Sequence, residues 1–589
     1  MKEKLKNIPQ SWEEVKVDLI SELIRGVTYK KEVSSEIEKK EFIPILRANN
    51  INKNQLNFDS LIYVPEQLVK DIQLIVNGDI IFAMSSGSKH LVGKSAQAYK
   101  DYKASVGSFC AILRPYNNVS KKFIAYFFQS SKFRHLISKS AKGTNINNLK
   151  REQILDSIIP LPPLNEQKRI VEKIDELFSD LDNGVANLKK AQNQLKVYRQ
   201  ALLKNAFEGK LTEQWRKENN PEPAEKLLER IKKERQKRYE QELADWKEAV
   251  NKWEEEGKKG KKPRRPKEYD ELPPLTSEEL KNLPNLPKGW KWIKNNELLY
   301  YVTSGSRDWK KYYSNKGAYF IRTQDIKYNS LNIENVAFVD LPKDVEGKRS
   351  LVEQGDILMT ITGANVGKVA FIQKDLPETY VSQSVALMKL TYNKIAPYLH
   401  YYFQSNFFGK KFIEELVYGV GRPVLSLENM KEVFVALCSL EEQNQIVSIL
   451  EEQFSVIDKL EEEIEKALKK SQTLRQSILK KAFEGKLVPQ DPNDEPASEL
   501  LKGIKAEKEK YLAEQKEKKK KPVKRKQMDK NLSIEEVLKK SKEPIPAKDV
   551  WQQSKHKDDI EAFYAELKKI QHNIKEIKKG TESLLELKR

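Results

Sequence analysis

The sequence predicts α/β (α+β) domains in two copies, joined by long α-helices that form an antiparallel coiled coil, the whole arranged as a pseudo-two-fold internal repeat. Three observations predict it. The string AFEGKL occurs at Ala206 to Leu211 and again at Ala482 to Leu487, and the same offset runs back without a gap through Arg199 and Arg475, Phe178 and Phe454, and Glu166 and Glu442. Over the same stretches apolar residues recur every seven positions, the seam of a coiled coil. Upstream of each stretch, Gly and Asn turns separate short apolar runs, the pattern of strands.

The mixed segments come first in each copy. FIPIL, LIYV and DIIFAM read as strands in one, and AYFIRT, VAFV, DILMTI and KVAFI in the other. Each is followed by an aromatic helical stretch, FIAYFFQSSKFRHLI or PYLHYYFQSNFFGKKFI, whose aromatics recur at i, i+3 and i+4 and so read as core. The matches YFFQS at Tyr126 with YYFQS at Tyr401, GDI at Gly78 with GDI at Gly355, and P-x-x-W at Pro9 with P-x-x-W at Pro287 extend the repeat.

The first long helix carries Ile174, Leu181, Leu188, Leu195 and Leu202 with Leu177, Ala191 and Tyr198 between them. The second carries Leu450, Ile457, Ile464 and Ile478 with Leu460, Ala467 and Leu474, and Ser471 interrupts it. Gly209 and Gly485 suit C-terminal stops. Each helix runs about 40 to 45 residues, roughly 60 to 70 Å, and pairs with the other. The expected boundaries are residues 1–160 and 286–436 for the mixed domains, 161–211 and 437–489 for the helices, 212–285 for a charged helical linker, and 490–589 for a charged extension ending in a small helical module. PEPAEKLL after Pro221 is echoed by DEPASELL after Asp494, and both charged tracts read as solvated helices. Basic runs stand at Lys258 to Lys267 and Lys516 to Lys526.

Composition bounds the chemistry. A formal charge of +21 on 589 residues points to a polyanion partner, because surplus Lys and Arg neutralise phosphates and release counterions. Two cysteines, Cys110 and Cys438, exclude a disulfide scaffold, and neither has a ligand neighbour at zinc spacing. The start MKEKLKNIPQSW lacks the apolar run of a signal peptide, and no segment approaches a membrane span. The expectation is a soluble cytoplasmic protein with no membrane partner. GSKHLVGKS imitates a phosphate loop but has Ser88 where the first glycine belongs, Gly87 standing one place too early, and the matching TGANVGKVAF has Val369 in place of the hydroxyl. No other catalytic constellation, and no Pro-Pro-aromatic motif of amine methylation, is present. No catalytic residue and no metal ligand is assigned.

Two mixed domains, each followed by a helix that opens with PLPPLNEQ or SLEEQ and ends near AFEGKL, resemble the specificity (S) subunit of type I restriction-modification systems over residues 8 to 490. The resemblance implies target recognition domains that read two halves of a split DNA sequence, with the helices as conserved spacers. It implies as partners double-stranded DNA, two methyltransferase subunits and restriction subunits, and places S-adenosylmethionine, ATP and Mg with those partners, none in this chain. Rival readings are a structural coiled-coil adaptor and a fused DNA-modifying enzyme. Direct readout needs polar side chains on loops. The candidates at matching places are Arg47, Asn49 and Asn50 against Arg322, Thr323 and Gln324; Ser85, Ser86 and Lys89 against Thr362 and Asn365; and Thr144 and Asn145 against Arg422. Lys94 and Lys368 are phosphate candidates.

A helical spacer makes a testable demand. Four residues inserted between Leu188 and Leu195 add about 6 Å of helix, close to two base-pair steps of ~3.4 Å. Sequencing of methylated sites is expected to show the same half-sites with one or two more unread base pairs between them; unchanged spacing at full activity refutes the ruler.

Overall fold

The computed structural model describes residues 8–52, 54–86, 92–140, 147–327, 330–342, 345, 347–520, 532–541, 543–579 and 582–588. The chain divides into two compact units, Met1–Ile174 with Ile478–Arg589, and Asp175–Ser477. The division falls inside both long helices, Leu164–Phe207 and Leu440–Phe483.

In the first unit a four-stranded sheet has the order Ser21–Arg25, Cys110–Pro115, Ile80–Ala83, Ser95–Gln97. A three-stranded sheet orders Ser105–Val106, Phe42–Leu46 and Ile62–Pro65. Ile81, Ala83, Ala96 and Ile112 form the apolar face between them. Asp79 of the GDI motif is buried, and the Arg114 guanidinium on the central strand grips it at 2.7 Å. The second unit repeats this as Leu299–Ser304, Val385–Leu390, Ile357–Thr360, Val369–Phe371, with Lys389 at 2.8 Å from Asp356. Burial raises the Asp356 carboxyl pKa, and the Lys389 hydrogen bond opposes that rise. The repeated strands are thus tied through the same buried ion pair.

The aromatic stretches are core, but each is two helices. Lys121–Gln129 gives way to Ser131–Ser140, with Ser130 accepting from Phe133 N at 3.4 Å as a new cap. Ala396–Tyr402 gives way to Gly409–Leu416. Phe123, Phe128 and Phe133 are fully buried, as are Tyr398, Tyr402 and Phe408.

Both long helices begin at an L-x-E-Q motif whose two polar residues are buried, and their contacts explain the motif. In the first unit Glu166 accepts from the Trp12 indole at 2.9 Å and from Gln490 at 2.7 Å. Gln167 donates to Pro162 O and accepts from Ser120 N, each at 2.9 Å. In the second, Glu442 accepts from the Trp290 indole at 2.8 Å, Thr212 at 2.6 Å and Arg216 at 2.8 Å, and Gln443 donates to Cys438 O at 2.9 Å. Each anchor joins the head of one copy to the tail of the other. Trp12 and Glu166 belong to the first copy, whereas Gln490 follows the second long helix. Gly209 and Gly485 take φ +68° and +69°, and a Cβ on either would strike Pro287 or Pro9. They are therefore stops and close-approach sites at once.

Within the unit Asp175–Ser477 the helices run antiparallel. Arg199 binds Asp458 at 2.5 Å and lies 4.5 Å above the Phe454 ring, while its repeat partner Arg475 binds Asp182 and lies 4.1 Å above Phe178. The seam is narrower than the heptads predict. Leu450, Ile457 and Ile464 are buried, but the intermediate positions Tyr198, Leu460 and Leu474 are exposed. The intermediate line is only partly covered, with Leu177, Ala191 and Ala467 half-buried, since a pair of helices cannot enclose both lines fully when each also packs on its own domain.

The charged tracts also differ from the solvated helices expected. Ala224–Glu255 buries Ala224, Leu227, Leu228 and Ile231 in the second unit, with Ala224 N bonded to Gly289 O at 2.8 Å. Ala497–Lys520 does the same in the first, with Ala497 N on Ser11 O at 3.1 Å and Ile504 buried. Their opening turns carry apolar residues at i, i+3, i+4 and i+7, so they dock. The terminal module is not all helical. Helices Ile534–Lys540, Ala547–Gln553 and Ile560–Lys569 pack on a sheet ordered Ile545–Pro546, Glu582–Leu587, Ile574–Lys579. Among the described residues no helix is long and apolar enough to cross a membrane.

Glu442→Ala leaves three buried or half-buried donors without their acceptor. A loss of about 3 kcal/mol is expected, read as an earlier urea midpoint at unchanged slope; a loss under about 0.5 kcal/mol refutes the anchor. Burial pushes the Cys110 thiol up to about 12 and the Cys438 thiol well above its usual value. Neither is expected to react with a thiol reagent at neutral pH until the chain unfolds, which mass spectrometry of the labelled native protein checks.

Candidate nucleic-acid interface

Backbone hydrogen bonds gather four polar turns at one edge of each unit. In the second unit Ser382 N donates to Ile321 O at 2.8 Å, which ties the turn at Arg322 to the turn Ser382–Ser384. Ile361 N donates to Ser384 O at 3.0 Å, Leu425 N to Ile361 O at 2.9 Å, and Gly363 N to Pro423 O at 2.8 Å. These bonds add the turn after Thr360 and the hairpin from Tyr418 to Val424. In the first unit Gly107 N donates to Leu46 O at 2.9 Å, Met84 N to Phe109 O at 2.8 Å, and Leu149 N to Met84 O at 2.7 Å. Ser85 and Ser86 pair with Asn148 and Asn147 in the short ladder that stands where Thr362 bridges Val424. The same stitching carries different side chains in the two units.

The predicted residues sort by this geometry. Asn49 and Gln324 are exposed at the tips of equivalent turns, with Thr323 half-buried beside Gln324. Asn50 is buried, and both ends of its amide serve the chain: Oδ1 accepts from Arg47 N at 2.9 Å and Nδ2 donates to Asp59 O at 2.8 Å. Asp325 takes the equivalent place and binds Arg322 N at 2.8 Å and Arg322 Nε at 3.2 Å. Arg47 and Arg322 each reach back to a backbone carbonyl, Ser60 O at 3.0 Å and Asn335 O at 3.1 Å. The arginines brace their turns, and the tips beside them are the free polar groups. Ser85 bonds Asn148 and lines a 710 Å³ cleft with Arg47, Asn49 and Phe109. Thr362 and Asn365 are half-buried, and Arg422 is exposed in the turn closed by the Tyr418–Val424 bridge.

Lys94 and Lys368 are half-buried and occupy equivalent turns, where Ala83 N donates to Lys94 O and Thr360 N to Lys368 O, both at 2.9 Å. Lys89, Thr144 and Asn145 lie outside the described residues, as does the Ser86 side chain. The sequence reading missed the turns Gly107–Phe109 and Ser382–Ser384. Phe109, Ser108 and Gln383 are exposed in them, and their equivalent places just ahead of the matched strands Cys110–Pro115 and Val385–Leu390 were the available signal. Among the described residues no group of three or more His, Cys, Asp or Glu could hold a metal ion.

The description "Type I restriction modification DNA specificity domain" fits residues 9–196 and again residues 287–470. The chain belongs to this family. It is 30% identical to the type I restriction enzyme EcoKI specificity subunit of Escherichia coli (strain K12) over 512 residues, 85% of this chain and 96% of that one. It is 43% identical to the StySPI specificity subunit of Salmonella potsdam over 205 residues, 35% of this chain and 44% of that one. A structure solved for complex assembly and conformational transition of the type I R-M system superposes with a TM-score of 0.57 at 17% identity, covering 82% of this chain and 99% of that chain. That likeness shows a shared fold. As a type I specificity subunit the chain has two recognition domains, one in each matched segment.

Separate roles within one turn can be measured. Asn50→Ala leaves two buried groups unpaired and is expected to cost about 1 to 3 kcal/mol. Asn49→Ala and Gln324→Ala, at exposed tips, are expected to stay within about 0.5 kcal/mol. Urea denaturation of the three variants checks this, and equal losses at Asn49 and Asn50 refute the division into tip and brace.

Proposed function

We propose that the chain reads a split, asymmetric DNA sequence through the two four-turn edges and is the non-catalytic scaffold for methyltransferase and restriction subunits, with S-adenosylmethionine, ATP and Mg used by those partners. The carrying observation is that one backbone stitching presents different polar tips in the two units: Asn49 and Ser108 in one; Gln324, Gln383 and Arg422 in the other. A fixed frame with variable tips suits two unlike half-sites, because base edges are distinguished by donor and acceptor pattern while the frame only positions. Lys94 and Lys368 are assigned to phosphates.

The outward apolar residues on the long helices support the scaffold. Val197, Tyr198, Val456, Leu460 and Leu474 are exposed, and Tyr198 and Leu474 are repeat equivalents. Two helices carrying a partly uncovered stripe suit completion by helices of a partner.

The test is the methylated-site sequence of the chain expressed with its methyltransferase partner. Arg422→Ala and Gln383→Ala are expected to relax one half-site, by about 1 to 3 kcal/mol where a bidentate pair of hydrogen bonds to a base is removed. Asn49→Ala is expected to relax the other. Lys94→Ala and Lys368→Ala are expected to weaken all sequences alike. Uniform weakening by every tip variant refutes these edges as readers, and methyl transfer by the purified chain alone refutes the non-catalytic assignment.

A further inference from the structure

The run from Lys258 to Lys267 takes no part in either edge. It holds five lysines, two arginines and no acidic residue, so ten positions carry a third of the chain's formal charge of +21. All seven cations are exposed, and Lys267 alone has an ion pair among the described residues, at 3.8 Å from Asp270. The preceding helix is different: Ala224–Glu255 carries nine acidic residues against nine basic ones, and Lys226 pairs there with Glu229.

The run is also pinned. Trp246 Nε1 donates to Pro263 O at 3.1 Å and Trp253 Nε1 to Gly260 O at 3.3 Å. The Lys258 and Lys262 ammonium groups stand 5.9 and 6.0 Å from the Trp253 ring centre. Gly257 and Gly260 take φ +75° and +83°, which lets the backbone turn back along the helix, and Pro263 and Pro266 restrict it further. Two indoles therefore hold a strap of uncompensated cations against the outer half of Ala224–Glu255. A pinned strap has less conformational entropy to lose on binding than a loose tail.

We propose that this strap is a duplex-DNA backbone grip, separate from the reading edges and indifferent to sequence. Its partner's identity as DNA rests on the function proposed above; its own grounds are the unpaired charge and the fixed backbone. A protein partner is disfavoured, because between Lys258 and Lys267 there is no aromatic or aliphatic side chain other than proline to act as the anchor such interfaces use. Repeated cations without an apolar anchor suit repeated phosphates.

The test uses the full chain with all seven cations of the strap changed to Gln, and a second variant, Trp246→Phe with Trp253→Phe, that keeps the charge and removes both indole donors. Fluorescence anisotropy on a random-sequence duplex is followed as a function of salt, with thermal melts as a folding control. The Gln variant is expected to bind on the order of tenfold more weakly at moderate salt, with a log-log slope shallower by about 0.9 for each phosphate no longer neutralised. The Phe variant is expected to weaken severalfold at an unchanged slope. Unchanged affinity and slope in the Gln variant overturn the grip, as does loss of an acidic protein partner with duplex binding intact. If the wild-type chain fails to distinguish its methylated site from random duplex while the Gln variant still loses affinity, the specificity reading fails and the grip stands.

Discussion

The buried carboxylate at the start of each long helix is the contact on which the rest of the structure depends. Glu166 and Glu442 are each all but inaccessible, and an isolated charge there would be costly. Each is held by an indole from the head of its own copy and by polar groups that follow the other copy's long helix. The domain head, the start of one long helix and the segment after the other therefore meet at one carboxylate in each unit. Both units close in the same way: Trp12 at the head of the chain meets Gly485, just as Trp290 meets the segment after Gly209. The neighbouring glutamine does the complementary task by fixing the strand that leads into the helix.

A frame anchored in this way can leave its far edge free to vary. The buried pairs Asp79–Arg114 and Asp356–Lys389 tie the central strands alike in both units, although the cation differs. Beyond those strands, backbone bonds stitch the turns to one another, and Asn50 and Asp325 close the first turn of each set from within. Main-chain bonds do not depend on side-chain identity, so Asn49 and Gln324, or Ser108 and Gln383, differ at no cost to the frame. Stability and readout thus rest on separate groups, as they must where one scaffold serves unlike half-sites.

The antiparallel pairing within Asp175–Ser477 combines charge and stacking. Arg199 and Arg475 each use one guanidinium for a carboxylate and for a ring face. Arginine suits this double duty because its planar cation stacks and hydrogen-bonds at once. With those contacts fixed, Leu450, Ile457 and Ile464 are covered while Tyr198, Leu460 and Leu474 stay outward.

The sequence by itself determined the duplication, the two 44-residue helices, their glycine stops and seven strands, though not the sheet strands Cys110–Pro115 and Val385–Leu390, because periodicity and left-handed stops are local properties of the chain. It also placed the L-x-E-Q and P-x-x-W motifs in order, though not in contact. Which polar residues face outward was decided by tertiary structure. Asn50 and Asp325 stand three residues after an arginine, a spacing that suits a side chain closing its own turn, and in the sequence alone they look like any other polar loop residue. The docking of Ala224–Glu255 and Ala497–Lys520 depended likewise on apolar faces that meet partners far along the chain. Exposure is a property of those distant neighbours, through hydrogen bonds such as Leu425 N to Ile361 O, and a local pattern does not contain them.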